Sequence, residues 1–190
     1  MYDFSSQANM LGYAIDALKE VGVYEQASLG GGTALSAYYW NHRYSTDIDM
    51  FLTTSGSLPK LRLALQKMNI SDDIRFPGNY LEILISETEK IQFFETRPRM
   101  PQNRILTSLW NFNDVYIEGI EEILVKKIYY RAHKGNTRDI FDITVADKVQ
   151  MGHNRVAIQL LVRSMMSTYS SAFMIFHYDD DEKWDWRFTF

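Results

Sequence analysis

The 190-residue chain contains no cysteine. Disulfides, thiolate metal sites and cysteine nucleophiles are therefore excluded, and any metal must be held by oxygen or histidine ligands. Proline occurs only four times, and no window approaches the roughly 20 consecutive apolar residues that a membrane-spanning helix needs. The opening MYDFSSQANM lacks the basic stretch and apolar run of a secretory signal, which points to a cytoplasmic protein. An excess of positive charge is also missing: 20 Lys and Arg face 24 Asp and Glu, a formal net charge of -4. A strongly basic nucleic-acid binder is excluded, so any contact with RNA must come from a local basic patch.

What the chain has is apolar material, 46% hydrophobic and 14% aromatic, enough to bury a sizeable core. Apolar residues between Ala8 and Val23 recur at Met10, Leu11, Ala14, Ile15 and Leu18, which predicts a packing helix ending near Gly22. The segment Ser28 to Thr33, SLGGGT, places three glycines immediately before ALSAYYW, a loop-to-helix junction. Strand alternation is predicted for DIDMFL from Asp47 to Leu52, and a helix for Leu58 to Met68 with Pro59 in its first turn. Tyr80–Ile85 and Lys90–Phe94 read as a hairpin of the same sheet, giving at least three strands. From Ile120 to Val145 the pattern returns to helices, broken at Gly135-Asn136, and a last helix is expected from Asn154 to about Phe176 before an acidic, aromatic tail. The expected division is residues 1–100 as a sheet-bearing core and residues 101–190 as a helical region packed on it, the two forming one continuous domain or a domain with a small lobe.

Carboxylates at i and i+2 on a strand point the same way, roughly 7 Å apart, so Asp47 and Asp49 are suited to hard cations such as Mg2+ or Mn2+. Ions held there would bridge a triphosphate and neutralise charge on a leaving pyrophosphate, which suggests phosphoryl or nucleotidyl transfer. Gly31 and Gly32 would let backbone N–H groups approach phosphate oxygens, with the Thr33 hydroxyl and the following helix N-terminus adding contacts. Each half has an ordinary reading, as turn chemistry or as a solvated strand edge. The order loop, helix, strand, with Asp47 following Thr33 by 14 positions, favours the functional one.

The stretch GGTALSAYYWNHRYSTDIDMF resembles the signature of the AbiEii/AbiGii toxin family, which pairs a GGTaL segment with a later RxSxDID segment. EEILVKKIYYRAHKGNTRDIFDI resembles the same family's downstream segment, a lysine followed by an arginine and then R-D-x-x-D on the next helix. The resemblance runs from about Ser28 to Ala146. It implies an α+β, polymerase-beta-like nucleotidyltransferase fold, a small mixed sheet flanked by helices and followed by a helical C-terminal part. Carried over by position, it puts Gly31, Gly32 and Thr33 at the triphosphate, Asp47 and Asp49 on the metal, Lys127 at the phosphates, and Asp142 or Asp139 completing the polar site. Asp47, Asp49, Lys127 and Asp142 form the expected catalytic set; Ser45, Lys127 and Arg138 join the nucleotide-binding one. Arg43 and Ser45 lie in the preceding turn, where either could orient Asp47 or a phosphate.

Spacing puts Lys127 and Arg131 on one face of a helix and lets Arg138 and Asp142 on the next form an i,i+4 surface ion pair, worth about 0.3–0.5 kcal/mol. Many nucleotidyltransferases carry a third acidic residue on a neighbouring strand, and its counterpart here is Gln92; Glu82 and Glu95 on or beside the hairpin are the available substitutes. None of His42, His133, His153 and His177 has a metal-ligand spacing, so none is assigned to a metal. The resemblance implies the toxin half of a toxin-antitoxin or phage-defence pair that transfers a nucleotide from an NTP to an acceptor such as the tRNA 3' end, with a cognate antitoxin as partner. A small-molecule acceptor and an NTP- or partner-binding module without turnover are the alternatives. The concentration of Lys126, Lys127, Arg131, His133, Lys134 and Arg138 in one segment favours RNA.

Overall fold

The computed structural model describes residues 2–131 and 136–149. The Gly135 side of the expected helix break, His133, Lys134, the expected C-terminal helix and the tail lie outside the described residues.

Helix α1 (Ser5–Val21) buries Met10, Leu11, Ala14, Ile15 and Leu18, and Gly22 at φ 75° ends it in the left-handed conformation that glycine tolerates best. Strand β1 (Ala27–Leu29) leads directly into α2 (Gly31–Thr33), which continues as a π-helix over Ala34–Trp40. Then come β2 (Ile48–Leu52), α3 (Leu58–Met68), β3 (Ile74–Arg75), β4 (Tyr80–Leu84) and β5 (Lys90–Glu95). Strands β6 (Arg104–Leu109) and β7 (Phe112–Glu118) and helices α4 (Ile120–Arg131) and α5 (Thr137–Val149) complete the described chain.

The strands make one mixed seven-stranded sheet in the order β3-β4-β5-β2-β1-β7-β6. Helices α1 and α3 pack on β2, β4 and β5. Ile48, Met50 and Leu52 of β2 join Leu11, Ile15, Leu61, Leu65, Leu81 and Phe93 in the core beneath them. Each such side chain removed from water stabilises the fold by about 1.5–3 kcal/mol. Because strand residues alternate, burying this set turns Asp49 and Phe51 to the opposite face.

The α+β architecture agrees with expectation, but the sheet is larger. The hairpin β6–β7 lies beyond residue 100, inside the stretch expected to be helical, and β7 pairs in parallel with β1 through Leu29 and Ile117. A boundary near residue 100 would cut that sheet. The hairpin leaves little trace in the sequence because its faces are weakly segregated: Ile105 and Leu106 are both exposed, so β6 shows no period of two. Among the described residues no helix is long and apolar enough to cross a membrane.

Candidate active site

One row of residues runs across four strands, and past Gly30 at the end of β1, on the face opposite α1 and α3. Glu82 of β4 pairs with Gln92 of β5, and Gln92 with Asp49 of β2. The N–H of Gly30 donates to the Asp49 carbonyl at 2.9 Å, and the parallel register of Leu29 with Ile117 brings Gly30 level with Glu118 of β7. Side chains directly opposite in neighbouring strands project from the same face, so Glu82, Gln92, Asp49 and Glu118 share a line broken only by a glycine.

The glycines are there to admit the acids. A Cβ on Gly31 would overlap the Asp49 carboxylate, one on Gly30 the Glu118 carboxylate and the Phe51 ring, and one on Gly32 the Arg43 guanidinium. Gly31 also sits at φ 65°, a conformation that side-chain-bearing residues adopt only at a cost. The first-turn amides of Gly31, Gly32 and Thr33 precede any intrahelical carbonyl and are left to meet another acceptor.

Asp47 lies just ahead of β2 and is half-buried; Asp49 is buried, and its Oδ1 has no hydrogen-bond partner. Burial pushes both carboxyls above the usual carboxylate range. For Asp47 it is opposed by Lys90, a hydrogen bond from Thr46, Arg138 and Arg131; for Asp49 it is opposed by Arg131, Lys127 and Lys90 and reinforced by Asp47. A buried carboxylate oxygen without a donor is costly unless a cation completes it. The oxygen-rich donor set of Asp47 and Asp49 therefore fits a hard divalent ion.

Other expected site residues have different surroundings from those foreseen. Thr33 is fully buried and its hydroxyl donates to the Asp47 carbonyl, tying the glycine turn to the start of β2 instead of offering itself to a phosphate. Asp142 is also fully buried and is the centre of an ion cluster. Arg43 donates to it through Nε at 2.7 Å and Nη2 at 2.8 Å, His42 through Nε2 at 2.7 Å, and Lys127 Nζ stands 2.9 Å away. Burial alone would raise its carboxyl, but the bonds from Arg43 and His42 and the Lys127 charge hold it well below the usual carboxylate range. Lys127 also donates to Asp139 at 2.6 Å. Asp142 and Lys127 thus clamp α4 and α5 to the turn before β2, and Asp142 pairs with Arg43 instead of the Arg138 that spacing suggested. Ser45 Oγ lies beside Gly32. Arg138 is exposed, and Arg131 is 46% exposed at its side chain, 3.9 Å from Asp139. Among the described residues these two arginines are the cations of the second motif that stay exposed, and both act on Asp47 through their charge.

A second buried cluster was not foreseen. Lys126 donates to Glu118 and stands 3.1 Å from Glu122, and its ammonium lies 4.1 Å from the centre of the Phe51 ring. One ammonium shared by two carboxylates leaves a net negative charge in the interior. Burial, opposed by Lys126 and reinforced by Glu122 and Asp49, pushes the Glu118 carboxyl up to about 7. Glu122 additionally accepts the backbone N–H groups of Arg99 and Met100 at 2.8 Å. Glu95 accepts the N–H groups of Ser57 and Leu58 at the start of α3, a capping role that removes it as a catalytic substitute. Among the described residues no three His, Asp or Glu side chains group as a metal-binding set.

Residues 14–172 match the sequence family described as nucleotidyl transferase AbiEii toxin, Type IV TA system. The chain belongs to the AbiEii nucleotidyl transferase family. Solved structures share its fold at low sequence identity. ANT(2")-Ia, solved as a complex with adenylyl-2"-tobramycin, is 15% identical with a TM-score of 0.62, covering 87% of this chain and 99% of its own. JHP933 from Helicobacter pylori is 16% identical with a TM-score of 0.54, covering 84% of this chain and 72% of its own. No curated protein matches the chain by sequence. As an AbiEii member the chain is a nucleotidyltransferase.

Proposed function

We propose that this AbiEii protein transfers a nucleoside monophosphate from an NTP to an acceptor hydroxyl in a reaction that requires Mg2+ or Mn2+ at Asp47 and Asp49. The observation that carries this reading is the buried Asp49 carboxylate, its Oδ2 seated against the side-chain-free Gly31 and its Oδ1 without a partner, with Asp47 two residues before it and the first turn of α2 alongside. When bound, the metal would lower the pKa of the attacking hydroxyl and offset charge on the departing pyrophosphate. The protein's share is positioning. First-turn amides of Gly31 and Gly32 face the phosphates, Arg131 and Arg138 add positive charge from α4 and α5, and the Arg43–Asp142–Lys127 clamp fixes those helices relative to β2. Lys127 acts in the clamp and through its charge on Asp49.

The family supports a toxin role with a neutralising antitoxin, and a tRNA 3' end remains the first acceptor of this reading. A small-molecule acceptor is favoured by one specific finding: Lys126 and Lys127 are spent on buried carboxylates, so the basic segment that suggested RNA keeps only Arg131 and Arg138 exposed among its described members. Incubating the protein with Mg2+, each α-labelled NTP and either total RNA or a panel of aminoglycosides separates the two. Label on RNA alone supports the toxin reading, label on the small molecules alone replaces it, and label on neither contradicts transferase activity toward both classes.

A further inference from the structure

Gln92 occupies the strand position directly opposite Asp49, and its amide is not free to turn. Nε2 donates to Glu82 Oε2 at 2.7 Å, and the same oxygen accepts from Lys90 Nζ at 3.1 Å. An oxygen that accepts from an ammonium cannot also donate, so the amide atom facing it must be the nitrogen. This fixes the orientation of the side chain and turns Oε1 away from Glu82. Gln92 is 8% exposed, and Oε1 accepts no hydrogen bond among the described residues. The neighbouring strand presents Asp49 Oδ1, which is buried and without a donor. Two oxygens on register-paired residues, the buried Asp49 Oδ1 without a donor and the Gln92 Oε1 that Glu82 holds outward, describe an incomplete cation shell.

Resting on the reading of Asp47 and Asp49 as a divalent-metal site, we propose that Gln92 supplies its third protein oxygen, a neutral amide ligand held in place by Glu82. Amide carbonyls are normal ligands for hard cations. Glu82 is the positioning residue: it touches the ligand, not the metal, in the way that outer partners fix ligand orientation in other metal sites. The centre then carries two negative charges from the protein instead of three, so it holds an isolated ion loosely and relies on triphosphate oxygens to complete the shell.

The test is a titration with Mn2+ alone, reading free Mn2+ by electron paramagnetic resonance, on the full chain and on variants whose folding is checked by circular dichroism. Gln92→Leu keeps the side-chain bulk and removes the oxygen; it should weaken Mn2+ binding about tenfold or more, the scale on which metal-site partners act. The exchange Glu82→Gln with Gln92→Glu keeps the net charge and the cross-strand hydrogen bond while moving the carboxylate beside Asp49, and should tighten binding severalfold. Unchanged Mn2+ affinity in both variants would overturn the assignment of Gln92 while leaving Asp47 and Asp49 in place. If the exchange variant alone is folded, its affinity decides the question. Absence of Mn2+ binding by the unaltered protein would overturn the metal site itself and the assignment with it.

Discussion

Replacing Asp142 by Asn should unfold the protein far more readily than any surface charge removal. The substitution keeps the volume but deletes the charge on which three side chains converge: Arg43 through two bonds of 2.7 and 2.8 Å, His42 at 2.7 Å and Lys127 at 2.9 Å, around a carboxylate with no exposed surface. Removing one partner from a buried ionic cluster costs about 3–5 kcal/mol, because the charges left behind have lost both water and counter-ion. At about 2–4 °C per kcal/mol for a chain of this size, the melting temperature should drop by roughly 6–20 °C. Urea unfolding followed by far-UV circular dichroism gives the same quantity as a lower midpoint at constant slope. Asp139→Asn is the internal control and should cost less, since Lys127 keeps Asp142 and the other contact, to Arg131, is at 3.9 Å. A cycle combining Asp142→Asn with Arg43→Met should show coupling above about 1 kcal/mol, the mark of groups in direct contact. A midpoint for Asp142→Asn within error of the unaltered protein would refute the clamp. So would full additivity with Arg43→Met.

Gly31→Ala should lose nucleotidyl transfer together with about 1–2 kcal/mol of stability, the cost of forcing a side-chain-bearing residue to stay left-handed, because its methyl group also displaces the Asp49 carboxylate. Gly56→Ala, at φ 82° in open space, shares the backbone strain without the displacement and should keep its activity; equal activities in the two variants would contradict this. The Glu118 carboxyl, pushed up to about 7 from 4.5, makes the folded protein retain a proton that the unfolded chain has lost between those values. This group therefore stabilises less as pH rises from about 4.5 to 7. Glu118→Gln should flatten that part of a melting-temperature profile, and a profile indistinguishable from the unaltered protein's would refute the assignment. The depressed Asp142 carboxyl acts in the opposite sense, its contribution present above pH 4 and lost as acid protonates it.

The elements readable from the sequence were those with a strong period or strong punctuation. Helix α1 showed in the spacing of Met10, Leu11, Ala14, Ile15 and Leu18, and α3 in Leu61 and Leu65 after Pro59. The Gly31–Asp49 part of the site was legible because both its ends are local motifs whose geometry follows from strand alternation and from side-chain-free residues. Strands β1 and β3, three and two residues long, carry too few positions for a period, and β6 exposes successive apolar residues. The clamp was hidden for a different reason. Arg43 and Asp142 lie 99 residues apart, and nothing in local spacing could show that α5 returns its carboxylate to the turn before β2. Lys126 and Lys127 looked like surface charge because lysine is seldom buried, and only the nearby Glu118, Glu122, Asp139 and Asp142 make their burial tolerable. Gln92 was readable as a missing acid, and the hairpin of β4 and β5 was readable too; the hydrogen bond to Glu82 depends on the register that sets the two side chains opposite each other.

The most direct test of the account is single-turnover transfer of an α-labelled nucleotide to whichever acceptor class takes label, comparing the unaltered protein with Asp49→Asn in Mg2+ and in excess EDTA. The account predicts transfer in Mg2+ only, reduced in Asp49→Asn on the order of a thousandfold, as expected when several kcal/mol of metal-borne charge stabilisation is lost. Transfer by Asp49→Asn at the unaltered rate, or undiminished transfer in EDTA, would contradict it.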